Sequence, residues 1–254
     1  MWSFSRLESY NQCPYAWYKH YIEGEDGEAS FYSQNGTDVH EILDAVNKGD
    51  IALEDAAAEY IERFEYNDYP VRDSIRESTL EKCASFFTDY DLWWLDEANY
   101  EVVASEKELF FEIGGYQFHG FIDLLLRDRE TGRLVIVDYK SSDWPLKKNG
   151  EPLKSAEARL KSQKRQEYLY AEAVKQNYGE TPIALSWLFF KVQKYLAIPL
   201  KDDEWEEAKA WALSTIAKIE ADSEYRENRD DYMMCNVLCG FRNSCEYKEF
   251  EDDE

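Results

Sequence analysis

The hydrophobic spacing changes twice along the 254 residues. Up to about residue 99 the apolar positions recur at intervals of three and four, as in Ala52, Ala56, Tyr60, Ile61 and Phe64. That is the period of helices with one buried face. This part predicts a helix over 3–22, entered through Ser3 or Ser5 and dense in aromatics (Tyr10, Tyr15, Trp17, Tyr18, Tyr21). A second helix is expected from a cap at Asn35 or Thr37 to about Asn47, with His40 in its first turns, and further helices over 51–66 and 71–97.

Near Tyr100 the pattern becomes that of strands. Residues 101–112, 116–127 and 133–140 predict three of them, joined by turns at Gly114-Gly115 and Glu130-Thr131-Gly132. Leu134-Val135-Ile136-Val137 is apolar at every position, as a central strand covered on both faces should be. After a loop with Pro145, Gly150 and Pro152, a long helix is predicted from about Ser155 to Tyr178. Strands over 182–192 and 194–200 and a helix capped by Asp202 or Asp203, reaching about Asp222, complete the pattern. The chain therefore reads as α/β: a mainly helical part (1–99), a core (100–200), and a helix with a cysteine-bearing tail (201–254). Its length suits one elaborated domain.

Composition supports a globular protein, with 44% hydrophobic and 16% aromatic residues. No apolar run approaches the roughly 18 residues of a membrane-spanning helix, and Met1–Arg6 lacks the build of a secretory signal. A cytoplasmic protein of a bacterium, archaeon or phage is expected. The net charge of −24 argues against a protein that coats DNA through phosphate contacts. The charge is uneven, however. Between Lys140 and Arg165 lie Lys147, Lys148, Lys154, Arg159, Lys161 and Lys164, against only Asp143, Glu151 and Glu157. Lys147, Lys148, Lys161 and Arg165 are the candidate DNA contacts of this segment, which otherwise reads as a solvated face. The end, Glu249–Glu254, is acidic and of low complexity.

The candidate chemistry lies on the predicted strands. Asp123 interrupts the apolar run from Gly120 to Leu126, and an Asp there is costly to bury unless paired or bound to metal. Asp138 and Lys140 flank Tyr139, so strand alternation points both to one face. Two carboxylates with a lysine beside them suit Mg²⁺ or Mn²⁺, and His40 adds an imidazole that Mn²⁺ accepts. A metal so held activates water and offsets charge on a phosphate, which points to a phosphodiesterase. Gln166 and Tyr170, four apart on one helix face, could orient Lys140 or bond a phosphate.

Of five cysteines, Cys235, Cys239 and Cys245 form C-x3-C-x5-C in the tail, and Cys13 lies beside Pro14 near the other end. Four thiolates make a Zn²⁺ site or a [4Fe–4S] cluster, and the three-plus-one distribution leans to the cluster. Cys83, beside Ala84 and Phe86, reads as a core residue.

Taken together these segments resemble the RecB/AddB-like branch of the PD-(D/E)XK nuclease superfamily, including CRISPR-associated adaptation exonucleases and phage relatives. The resemblance rests on Ser3–Tyr15, Gly36–His40, Gly120–Asp123, Asp138-Tyr139-Lys140, Gln166–Tyr170 and Cys239–Cys245. It implies a restriction-endonuclease-like core: a mixed central β-sheet flanked by helices, with an N-terminal helical insertion and a C-terminal cysteine cluster. It implies a metal site of His40, Asp123, Asp138 and Tyr139, catalytic roles for Asp123, Asp138 and Lys140, and support from Gln166 and Tyr170. It also implies a [4Fe–4S] cluster on Cys13, Cys235, Cys239 and Cys245, although the first C-terminal spacing is often C-x2-C in relatives. The expected activity is a Mg²⁺/Mn²⁺-dependent deoxyribonuclease, an exonuclease on single-stranded DNA or duplex ends, in recombination, repair or CRISPR adaptation. Its expected partners are DNA and a helicase or recombination factor. The alternative is a catalytically silent module that binds DNA ends or docks on a helicase. No Walker-type phosphate loop occurs, so the chain carries no ATP-driven motor.

Overall fold

In the computed structural model, residues 1–247 are described; the acidic end Glu249–Glu254 lies outside them. Five strands form one sheet in chain order: β1 (Tyr100–Ile113), β2 (Tyr116–Asp128), β3 (Leu134–Lys140), β4 (Ala184–Phe189) and β5 (Lys194–Pro199). All neighbours are antiparallel except β3 and β4, which run parallel, so the sheet is mixed. That parallel step needs a crossover, and α6 (Glu157–Tyr178) supplies it. α1 (Phe4–Gln12), α2 (Pro14–Tyr21) and α7 (Asp202–Ala221) share α6's face of the sheet; α3 (Phe31–Lys48), α4 (Leu53–Glu65) and α5 (Asp73–Asp89) cover the other. β3 lies at the centre: Leu134 and Ile136 pack toward α6, and Val135, Val137 and Tyr139 toward α3–α5. Its unbroken apolar run follows from this double burial.

The helical part differs from its predicted bounds for local reasons. The expected helix over 3–22 is two helices, because Pro14 has no N–H to donate and holds Cys13 extended (φ −158°, ψ 105°). The Cys13 thiol instead accepts from the Ala16 N–H and caps α2. α3 starts ahead of Asn35 and Thr37, since Ser30 and Ser33 form a reciprocal capping box. His40 thus sits mid-helix, not in the first turns. Gly36 is also mid-helix, with nothing within 4 Å of the position a Cβ would take. The helix predicted over 71–97 ends at Asp89, and a 3₁₀ turn follows at Trp93–Leu95. α7 is capped by neither aspartate: Lys201 is the N-cap, and Asp202, Asp203 and Glu204 occupy the first turn, where they favour the helix dipole.

The tail returns to the N-terminal region. Gly27 and Gly240 meet backbone to backbone, and a Cβ on Gly240 would come within 2.8 Å of Gly27 Cα. The Glu28 N–H donates to Gly240 O at 2.8 Å, and Arg242 donates to the Glu28 and Ala29 carbonyls. Among the described residues no helix is long and apolar enough to cross a membrane.

Candidate active site

The site forms where two strands part. β2 and β3 pair from Arg127↔Leu134 to Leu124↔Val137. Beyond that last rung the Tyr139 N–H is met by a side chain instead, Asp123 Oδ2 at 2.7 Å. Across on β1, Ser105 pairs with Leu124 and Lys107 with Ile122, leaving Glu106 opposite Asp123. Glu106 adopts a left-handed backbone (φ 43°), a conformation costing on the order of 1 kcal/mol for a residue with a side chain. His40 reaches the same point from α3, with Nδ1 3.2 Å from Glu106 Oε1 and 3.7 Å from Asp123 Oδ1. His40, Glu106 and Asp123 offer three ligand atoms all within 4.8 Å of one another.

Both ring nitrogens of His40 face oxygen acceptors, Glu106 Oε1 and the Tyr139 carbonyl, an arrangement that favours the imidazolium. Burial opposes that charge, but Asp123, Glu106 and Asp138 outweigh it and raise the His40 pKa to about 9. Burial and then the Asp123 charge push Asp138 up to about 6 against the pull of Lys140. Asp123 is likewise raised by burial, with His40 opposing. Burial works against the Lys140 ammonium, yet Asp138 and Asp123 hold its pKa above the ordinary lysine value.

Lys140 Nζ lies 2.5 Å from Asp138 Oδ2 and donates to Gln166 Oε1 at 2.9 Å; Gln166 Nε2 donates in turn to the Tyr170 hydroxyl at 3.1 Å. The Tyr170 ring rests on Gly120, where a Cβ would come within 2.6 Å of Cε1. Only glycine leaves that space. Glu167 lies behind this relay, fully buried, with no hydrogen-bond partner for either carboxylate oxygen among the described residues. Burial and then Asp138 push its pKa well above the ordinary glutamate value, with Lys140 opposing.

The structure thus gathers His40, Asp123, Asp138, Lys140, Gln166 and Tyr170. Of the expected metal set, His40 and Asp123 fall in the three-donor group, and Glu106 joins them there. Strand alternation turns Asp138 to the α6 face, where Lys140 holds it, and it lies outside the three-ligand group. The Tyr139 side chain points to the opposite face, where its hydroxyl accepts from Asn47, so only its carbonyl reaches the site. The basic segment is partly neutralised: Lys161 and Arg165 pair with Glu207 on α7, and Lys147 with Glu151. Lys148 is exposed on its loop. None of these four touches the site's carboxylates.

Glu106 and Glu167 escaped the sequence reading. The one mark of Glu106 is the polar run Ser105–Glu108 inside a strand. Glu167 looks like any helical acid until the helix is packed.

At the far end of α1, Cys13, Cys235, Cys239 and Cys245 line one cavity of about 640 Å³ together with Tyr15, Tyr232 and Phe241. Burial raises the thiol pKa values of Cys235 and Cys239, and the neighbouring cysteines raise them further. Cys83 lies apart in the core, fully buried beside Asn35.

A family profile described as the PD-(D/E)XK nuclease superfamily matches residues 1–248. No curated protein matches the chain by sequence. Among solved structures, one from Eubacterium rectale described as a presumed exonuclease aligns with a TM-score of 0.54 at 13% identity, covering 98% of this chain and 90% of that one. At that identity the likeness is one of fold.

Proposed function

Because the chain belongs to the PD-(D/E)XK nuclease superfamily, we propose that it is a divalent-metal-dependent deoxyribonuclease of the RecB/AddB-like branch, acting as an exonuclease on DNA ends. The observation that carries this reading is the parting of β2 and β3, which sets His40, Glu106 and Asp123 on one side and Asp138 with Lys140 on the other. Two carboxylates and an imidazole within 4.8 Å are a donor set that fits Mn²⁺ or Mg²⁺. An ion bound there supplies Lewis acidity toward a phosphodiester and water. The remaining roles belong to the chain. Lys140, kept cationic by Asp138 and Asp123, offsets charge on the phosphate oxygens as they become more negative. Gln166, anchored by Tyr170, fixes the direction of the Lys140 ammonium. Asp123 ties β2 to the Tyr139 backbone and so sets the width of the gap.

For the four cysteines, which line one cavity, we infer a [4Fe–4S] cluster rather than Zn²⁺ from their three-plus-one distribution along the chain. A cluster on Cys13, Cys235, Cys239 and Cys245 would tie the two ends of the chain together and takes no part in the hydrolysis.

The test is cleavage of end-labelled DNA, single- and double-stranded, alongside an RNA strand, with Mg²⁺ or Mn²⁺. Turnover should require the metal and vanish in Asp123→Asn and Asp138→Asn, both folded by circular dichroism. Undiminished cutting in EDTA, or by Asp138→Asn, refutes the assignment. Folded, metal-replete protein that binds DNA without cutting it is instead the silent end-binding module.

A further inference from the structure

Asn47 lies seven residues after His40 on α3. Seven residues make almost two full turns, so the two side chains share one stripe of the helix. The Asn47 carboxamide makes three hydrogen bonds, each to a different element. Its Nδ2 donates to the Ser105 hydroxyl on β1 and to the Tyr139 hydroxyl on β3, both at 3.1 Å. Its Oδ1 accepts from the Trp94 indole at 2.8 Å. An indole N–H only donates, so the amide oxygen must face Trp94 and the amide nitrogen must face the strands. The partners lie 47 to 92 residues away in sequence, so none of these bonds helps α3 to form locally.

The two strand partners sit directly beside the site residues. Ser105 precedes Glu106, and its hydroxyl lies 3.5 Å from the Asp123 carbonyl oxygen. Tyr139 separates Asp138 from Lys140 and meets the site through its backbone. Its N–H donates to Asp123 Oδ2, and its carbonyl faces His40 Nε2 at 3.2 Å. β1 and β3 flank β2, and the β2–β3 pairing stops at Leu124↔Val137, two residues short of Tyr139. The Asn47 amide thus ties β1 to β3 from the α3 side, where the β2–β3 ladder no longer does.

We propose that Asn47 is a positioning residue: its amide fixes the spacing of α3, β1 and β3 so that His40, Glu106 and Asp123 converge on one divalent ion. This rests on the nuclease reading and adds to it a residue that acts only through its neighbours. A side chain kept for packing alone would gain nothing from an amide here, since burying one costs free energy unless its hydrogen bonds are made. Asn35, also on α3, offers the contrast. It accepts from the Tyr60 hydroxyl at 2.7 Å and lies beside Cys83, within the α3–α5 layer.

The experiment compares Asn47→Leu with Tyr60→Phe, which removes a buried hydrogen bond from the same helix but not from the gap. Calorimetry reads Mn²⁺ affinity, thermal melts read stability, and hydrogen exchange in EDTA reads the Tyr139 N–H. Asn47→Leu should weaken Mn²⁺ binding at least tenfold, within the ~10–100-fold typical of groups that support metal ligands. It should also speed Tyr139 N–H exchange relative to the amides of α7. Tyr60→Phe should lower the melting temperature and leave both other readouts at wild-type values. Tyr139→Phe removes one arm only and should weaken Mn²⁺ binding severalfold, which keeps the test open if Asn47→Leu does not fold. In a Ser105→Ala/Tyr139→Phe background, Asn47→Leu should cost little further affinity. Wild-type Mn²⁺ affinity in folded Asn47→Leu or in Tyr139→Phe overturns the proposal, as do equal losses of affinity in Asn47→Leu and Tyr60→Phe. A parent protein that binds no Mn²⁺ and cuts nothing sinks the nuclease reading instead, and the Tyr139 exchange rate still shows whether Asn47 sets the gap.

Discussion

Gly120→Ala adds one methyl group and should disable the site from its far side. The new Cβ would sit 2.6 Å from Tyr170 Cε1 and 3.3 Å from Cδ1, where ordinary contact begins at about 3.4 Å. The ring must retreat by close to 1 Å, yet Tyr170 is only 8% exposed and packed between sheet and α6. Overpacking of this kind costs about 1–3 kcal/mol of stability. The larger effect is on catalysis. Moving the Tyr170 hydroxyl drags Gln166, and Gln166 directs Lys140. A misplacement of ~1 Å at a reacting group can cost ~100-fold in rate. Single-turnover cleavage of an end-labelled strand in Mn²⁺, paired with urea melts, separates the two losses. Tyr170→Ser removes the clash partner, so adding Gly120→Ala to it should cost little more, a coupling the double-mutant cycle reads directly. A Gly120→Ala protein cutting at the parental rate, or two strictly additive losses, would refute the relay.

Glu106→Gln should keep the fold and weaken Mn²⁺ binding by at least tenfold, the loss expected even for supporting groups at metal sites, as read by calorimetry. In metal-free protein the native state holds protons more tightly than the unfolded chain, at Asp138 (about 6 against 3.8) and at His40 (about 9 against 6.5). Stability in EDTA should therefore fall as pH rises through 4–6 and again through 6.5–9. Mn²⁺, which needs His40 deprotonated, should stabilise more at pH 8.5 than at pH 6; scanning fluorimetry showing the reverse trend would discard the imidazolium. Anaerobically purified protein should be brown with bound iron. Cys13→Ala should lose colour and melting temperature and Cys83→Ala should keep its colour, whereas one equivalent of zinc in colourless protein would exclude the cluster. Gly240→Ala should loosen the tail and lower iron occupancy, because its methyl meets Gly27 backbone rather than a side chain that can move.

Much of the architecture was written in periodicity. The strands, the hairpin turn at Gly114-Gly115 and the doubly buried β3 follow from which positions are apolar, because burial on one face or two imposes its own spacing along a strand. Asp-x-Lys at 138 and 140 was equally legible, since strand alternation alone puts the two side chains together. Helix ends were less so: Ser30 and Ser33 captured the start of α3 through a reciprocal pair of hydrogen bonds, which other polar residues downstream could equally have suggested. What only the tertiary structure decided is the company each charge keeps. Lys161 and Arg165 read as free cations until α7 brought Glu207 beside them. Glu106 became a candidate ligand only because β1 sets it opposite Asp123 in a left-handed turn of the backbone, and Glu167 an acid whose ionisation burial opposes only because α6 packs on the sheet. Periodicity is a property of neighbours in sequence, whereas desolvation and Coulomb attraction depend on neighbours in space, and those are set only when the layers close.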